Sequence, residues 1–153
     1  MPPQNQQWRQ HPLFADLPAT FVDQMAATAT VESFAAREVI FHEGDTANRF
    51  HLITAGDVAL EVFAHARGPV TIQTLGVGEV LGWSWLIPPY RWHFDAHAVD
   101  ATDLIVFDAA AARDAFDRHP EFGYAMLKRF LPIIVQRLQA TRLQLLDVYD
   151  VRA

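Results

Sequence analysis

Three observations predict a mainly β fold, a roll or jelly roll flanked by helices and closed by a long C-terminal helix. From about residue 31 to residue 107, short runs alternate apolar with polar residues, and Gly, Pro or Asp separates each from the next. Before this zone the apolar residues fall at helical spacing, and after it they do so again, for longer. The chain has 153 residues, enough for one domain with its own core, so residues 1–153 read as one unit.

The elements follow in order. In "FADLPATFVDQMAATA", Leu17, Phe21 and Met25 line one helical face, with Pro18 suited to a first turn. "RFHLIT", "DVALEVF", "VTIQTL", "FDAHAVD" and "DLIVF" alternate as half-buried strands do. Turns are expected at Gly44-Asp45, Ala55-Gly56-Asp57, Arg67-Gly68-Pro69 and Gly76-Val77-Gly78. C-terminal helices occupy about residues 108–149. Asp108 is placed to cap the first of them, and Pro120 opens the next. Leu127, Leu131, Ile134, Leu138, Thr141, Leu145 and Val148 then recur at alternating four- and three-residue spacing, the pattern of a helix seam. That seam predicts a homodimer through the C-terminal helix, with Pro132 expected to kink it.

Composition excludes several classes of function. There is no cysteine, which removes disulfides, thiolate metal sites and cysteine nucleophiles and suits the cytoplasm. The formal net charge of −6 and the lack of a lysine–arginine run argue against nucleic acid as a partner. No apolar run approaches the roughly 18 residues of a membrane span, and the polar "MPPQNQQWRQ" start is unlike a signal peptide, so no membrane is expected.

"EGDTANRFHLITAGDVALEV", Glu43 to Val62, resembles the signature of the cyclic nucleotide-binding domain family. The likeness is carried by Glu43, Gly44, Asp45, Ala47, Phe50, Leu52, Ile53, Gly56, Val58 and Leu60. "LGVGEVLG", Leu75 to Gly82, is similar to the block leading into that family's phosphate-binding cassette. "QRLQATRLQLLDV" is similar to the long helix of its catabolite-activator branch. The resemblance spans about residues 13–149. It implies a β-roll with a small-molecule pocket inside and a C-terminal helix that reports occupancy. The DNA-binding domain of that branch would start just after the helix. The sequence ends at Ala153, so a stand-alone domain without it is expected.

The cassette departs from the family pattern. "GWSWLIPPYRWHF", Gly82 to Phe94, holds three of the chain's four tryptophans. By resemblance, Gly82 keeps the glycine position while Trp83 stands where a glutamate takes the ribose hydroxyl. Counted without a gap, Trp92 holds the phosphate-arginine position, His93 the hydroxyl position and Phe94 the alanine. Arg91 fits the arginine position only if the loop is one residue shorter. Ordinary binding of cyclic AMP or cyclic GMP is therefore not expected.

Two readings of the aromatic cluster stay open. Either the rings fill the old pocket of a ligand-free dimerisation module, or they line a pocket for another small anionic ligand. In the second reading Trp83, Trp85 and Trp92 give stacking faces, Arg91 a cationic fork, and Ser84, Tyr90 and His93 hydrogen bonds. Thr141 corresponds to the threonine that touches the base in the catabolite-activator branch. The expected function is small-molecule sensing or an adaptor role, read out by a downstream protein. A cupin-like metal enzyme is the remaining alternative, because His93, Asp95 and His97 share one strand face. No nucleophile–base motif or phosphate loop supports catalysis, and no cofactor is expected.

Overall fold

A computed structural model describes residues 7–149. The start of the chain to Gln6 and the side chain of Val148 lie outside the described residues. A 3-10 turn, Gln7–Gln10, precedes helix α1, Ala19–Thr28. Eight strands follow: β1 (Thr30–Phe34), β2 (Val39–Phe41), β3 (Arg49–Ala55), β4 (Val58–Ala64), β5 (Gly68–Leu75), β6 (Val80–Leu81), β7 (Asp95–Ala98) and β8 (Thr102–Asp108). Helices α2, Ala109–Arg118, and α3, Pro120–Tyr149, complete the chain.

The strands form two four-stranded antiparallel sheets, in the orders β1-β8-β3-β6 and β2-β7-β4-β5. This is the predicted mainly β roll with flanking helices. Successive side chains of β3 point to opposite sides, which divides the core in two. Phe50, paired with Phe107 on β8, faces the helices and meets Phe14, Trp85 and Phe130. His51, paired with Val106, faces the roll interior beside Phe41 and Trp92.

Local chemistry accounts for the element ends. Pro18 stands just outside α1, so Leu17 lies before the helix rather than on its face. The Asp108 carboxylate accepts the Ala111 N–H at 3.1 Å and caps α2, as its position predicts. Pro120 begins α3, and the helix continues through Pro132. Gly56 turns at φ +83°, where a Cβ would run into the Ala101 carbonyl oxygen. Strands β1, β2 and β6 were not among the runs read from the sequence; β2 and β6, with three and two residues, are too short to show alternation. The Arg129 guanidinium reaches the carbonyls of Leu13 at 3.0 Å and Ala15 at 2.6 Å, tying α3 to the N-terminal segment.

Helix α3 is apolar on two faces. Phe122, Met126, Phe130 and Arg137 are buried against the rest of the chain. On the opposite side Tyr124, Leu127, Leu131, Val135 and Leu138 are exposed. Among the described residues no helix is long and apolar enough to cross a membrane.

Candidate functional site

Residues 82–94 leave β6, make a 3-10 turn at Ser84–Leu86, and return to β7 through Pro88 and Pro89. The E-G-D turn holds the far end of this loop. Gly44 N–H donates to the Trp92 carbonyl at 2.9 Å, and Trp92 N–H donates to the Asp45 carbonyl at 2.9 Å. Ala47 N–H donates to the Tyr90 carbonyl at 2.7 Å. Glu43, Gly44 and Asp45 are themselves exposed, and they act here through the backbone. These bonds also explain why the predicted strand at Phe94 starts only at Asp95. The backbone around Trp92 is engaged with the turn before it joins the sheet.

So anchored, Trp92 points inward. Its ring stacks on Phe41 with centroids 3.9 Å apart and planes 8° apart. Gly82, at φ +98°, lies beside the same indole. A Cβ there would sit 2.9 Å from Trp92 Cζ3, so only glycine lets the ring come this close. The cavity lined by Phe41, Gly82, Trp83, Trp92, His93 and Arg137 has a volume of about 10 Å³. That is at the lower limit for one water molecule, on the order of 10–15 Å³.

The structure divides the residues singled out from the sequence. Gly82, Trp83, Ser84, Trp92 and His93 line this cavity together. Trp83 stacks on His93 at 4.7 Å, and His93 Nδ1 lies 2.8 Å from the Ser84 hydroxyl. Trp85 turns the other way, into the helix-side core, stacked 4.6 Å from Phe50 and edge-on to Phe130. Tyr90 lies under the Arg113 guanidinium at 4.2 Å. Arg91 is exposed and donates to the Gly44 carbonyl at 2.9 Å, outside the cavity. Thr141 spends its hydroxyl on the Arg137 carbonyl, one turn back on the same helix, at 2.8 Å.

His93, Asp95 and His97 do not converge. His93 meets Ser84, Asp95 accepts the Glu43 N–H at 2.7 Å, and His97 Nδ1 lies 2.5 Å from Glu61 Oε1. Among the described residues no three His, Asp or Glu side chains are grouped to hold a metal ion.

Three residues at or around the site were not singled out from the sequence. Arg113 on α2 grips the loop, donating to the Trp85 carbonyl at 2.9 Å as well as covering Tyr90. Arg137 on α3 is 3% exposed and donates to the Val80 carbonyl at 2.8 Å, at the cavity's edge. His51 is buried on the interior face of β3, and burial pushes its pKa down to about 4. Helical spacing offers a clue to Arg137, which falls on the same face as Phe122, Met126 and Phe130.

The sequence profile of the cyclic nucleotide-binding domain matches residues 31–119, more than half of the chain. The chain belongs to the cyclic nucleotide-binding domain family. This is a family of regulatory, ligand-binding domains. No curated protein matches the chain. Among solved structures it is similar to a putative cyclic nucleotide-binding protein from Geobacter metallireducens. Identity there is 23% and the TM-score 0.79, covering 89% of this chain and 98% of that one. It is also similar to the Thermus thermophilus Catabolite Activator Protein, with 24% identity and a TM-score of 0.66, covering 88% of this chain and 61% of that one. The sensor domain of the transcriptional regulator DNR from Pseudomonas aeruginosa shares the fold at 16% identity. The TM-score is 0.72, covering 88% of this chain and 90% of that domain.

Proposed function

We propose that this chain is a cytoplasmic, non-enzymatic sensing or adaptor domain that does not take cyclic AMP or cyclic GMP in the ordinary mode. One observation carries the reading. The indole of Trp92 occupies the cassette side of the roll, stacked on Phe41, and leaves about 10 Å³ free. Ligand pockets usually offer about 300–1,000 Å³. The chemistry points the same way. Trp83 supplies no carboxylate for a ribose hydroxyl, and the inward position holds Trp92 while Arg91 faces out. A forked, charge-assisted pair to phosphate is about twice as strong as a neutral hydrogen bond, and ring stacking does not replace it.

Two arginines would transmit a change at the loop. Arg113 links it to α2, and Arg137 links the cavity to α3. A change in the cavity would then shift the population of helix arrangements, to be read by a partner protein. The exposed stripe Tyr124, Leu127, Leu131, Val135 and Leu138 supports dimerisation through α3, since an apolar face of this length is unfavourable in water. The same small cavity supports a second reading, a ligand-free dimerisation module.

Titration calorimetry with cyclic AMP and cyclic GMP tests the main reading, and no saturable binding is expected at micromolar concentrations. A low-micromolar or tighter Kd for either nucleotide overturns it. Sedimentation tests the dimer. The wild type is expected to be dimeric at micromolar concentration and Leu131→Asp/Leu138→Asp monomeric, whereas a monomeric wild type ends the dimer proposal.

A further inference from the structure

Among the described residues, Arg137 is a cation buried without an anion bonded to it. Its guanidinium has five N–H donors, and the acceptors it meets are both neutral: the Val80 carbonyl at 2.8 Å and Gln136 Oε1 at 2.6 Å. Glu79 is the acid whose charge acts on it, but that carboxylate accepts the Gly76 N–H at 2.7 Å and forms no ion pair with Arg137. Burial pushes the Arg137 pKa down, and Glu79 offsets this in part. Buried charges are normally paired, because taking an ion out of water is costly.

A second polar group on the same side is also incomplete. His51 and Leu81 face each other across β3 and β6, so their side chains share the interior face. His51 Nδ1 lies 3.2 Å from the Leu81 carbonyl. A carbonyl only accepts, so the proton sits on Nδ1 and leaves Nε2 with a lone pair. That nitrogen is buried and has no hydrogen-bond partner among the described residues. The His51 ring lies 6.2 Å from both Phe41 and Trp92.

Trp92 therefore covers a place that has an aromatic face at Phe41, a backbone wall at Gly82 and a cation at Arg137, with the His51 ring 6.2 Å from the indole. Were its indole to leave, the space freed would be flat and the size of one fused ring system. We infer that the roll interior binds a planar aromatic carboxylate, with Arg137 as its anion anchor and Trp92 as the plug that it displaces. One buried guanidinium neutralises a monoanion, whereas a phosphomonoester dianion would leave a net negative charge in the roll. The fork geometry of a guanidinium matches a carboxylate and a phosphate alike. A space of one fused ring system has no room for the sugar of a phosphodiester monoanion, which leaves the carboxylate. The inference rests on the reading of this domain as a sensor with an altered cassette, and it names the class of ligand.

The test uses the full chain with indole-3-acetate, benzoate and uncharged indole as probes, followed by calorimetry and near-UV circular dichroism. The wild type is expected to bind indole-3-acetate at least about tenfold more tightly than indole, with a change in the tryptophan spectrum. Arg137→Gln is expected to lose about tenfold in affinity for the acid and little for indole. Trp92→Ala, lacking the plug, is expected to bind the acid about tenfold more tightly than wild type. If Arg137→Gln does not fold, Arg137→Lys keeps the charge without the fork and should still weaken the acid relative to indole.

No saturable binding of either acid by the wild type at roughly 5 mM overturns the inference. So does binding by Trp92→Ala alone, which would mark a cavity made by the substitution. Acid affinity unchanged in a folded Arg137 variant overturns it as well. Cyclic nucleotide calorimetry reports separately. Rejection of both the acids and the nucleotides ends this inference while leaving the altered-cassette reading intact, and tight cyclic AMP binding ends both.

Discussion

Trp85 and Trp92 leave the same loop, and both are buried, yet they finish on opposite sides of β3. Trp85 joins Phe50, Phe116 and Phe130 in an aromatic layer beneath the helices. Trp92 enters the roll, where Arg137, Ser84 and His51 are its polar neighbours. The difference teaches that aromatic content alone does not mark a pocket. Trp85 also buries an indole N–H without a partner among the described residues. What distinguishes the second tryptophan is that the incompletely paired groups on its side, Arg137 and His51, belong to other side chains.

The largest expected effect is at Trp85. Trp85→Ala should cost about 3–5 kcal/mol, because the cavity left is lined by rings and stays dry. Trp92→Ala should cost less, since water can enter the vacated slot and bond to the groups around it. Chemical denaturation of both variants checks this. Equal losses would break the comparison.

The next effect separates the two sides by pH. His51 is on the Trp92 side, and its pKa falls from 6.5 to about 4 through burial. Between those values the unfolded chain holds the proton while the folded chain does not. Stability is therefore full above pH 6.5 and declines as the pH falls toward about 4. A shift of that size corresponds to roughly 3 kcal/mol. His51→Gln should flatten this part of the pH–stability curve. Should the slope persist in that variant, the titration belongs to another group.

Gly82→Ala should give the smallest loss, about 1–3 kcal/mol, from the positive φ together with the clash on Trp92. In a Trp92→Ala background the clash part should vanish, leaving only the backbone part. A double-mutant cycle measures that coupling, and additive losses would show that the indole does not seat against Gly82.

Much of the frame was legible in the sequence for local reasons. The E-G-D turn, the Asp108 cap and the Pro120 helix start each depend on backbone chemistry within a few residues. The runs of β3, β4 and β8 were readable because these strands have seven residues each. Their burial is nearly continuous where half-buried alternation was expected, since both faces of these strands are covered. The site was less legible. Trp83, Ser84 and Trp85 sit in or beside a 3-10 turn, where two-residue periodicity no longer tells inside from outside. Arg91 and Trp92 are neighbours, and only the backbone bonds to Gly44 and Asp45 decide which of them faces in.

By itself, then, the sequence determined the family, the roll, the flanking helices and the absence from the cassette of a glutamate at position 83. These follow from residue identity and short-range spacing. The tertiary structure alone decided that Trp92 fills the roll, that Trp85 belongs to the helix-side core, and that Arg137 lies buried across from residues more than forty positions away. The physical reason is that burial and counter-charge are properties of what surrounds a side chain. Those surroundings exist only once α3 has packed against the edge of the roll.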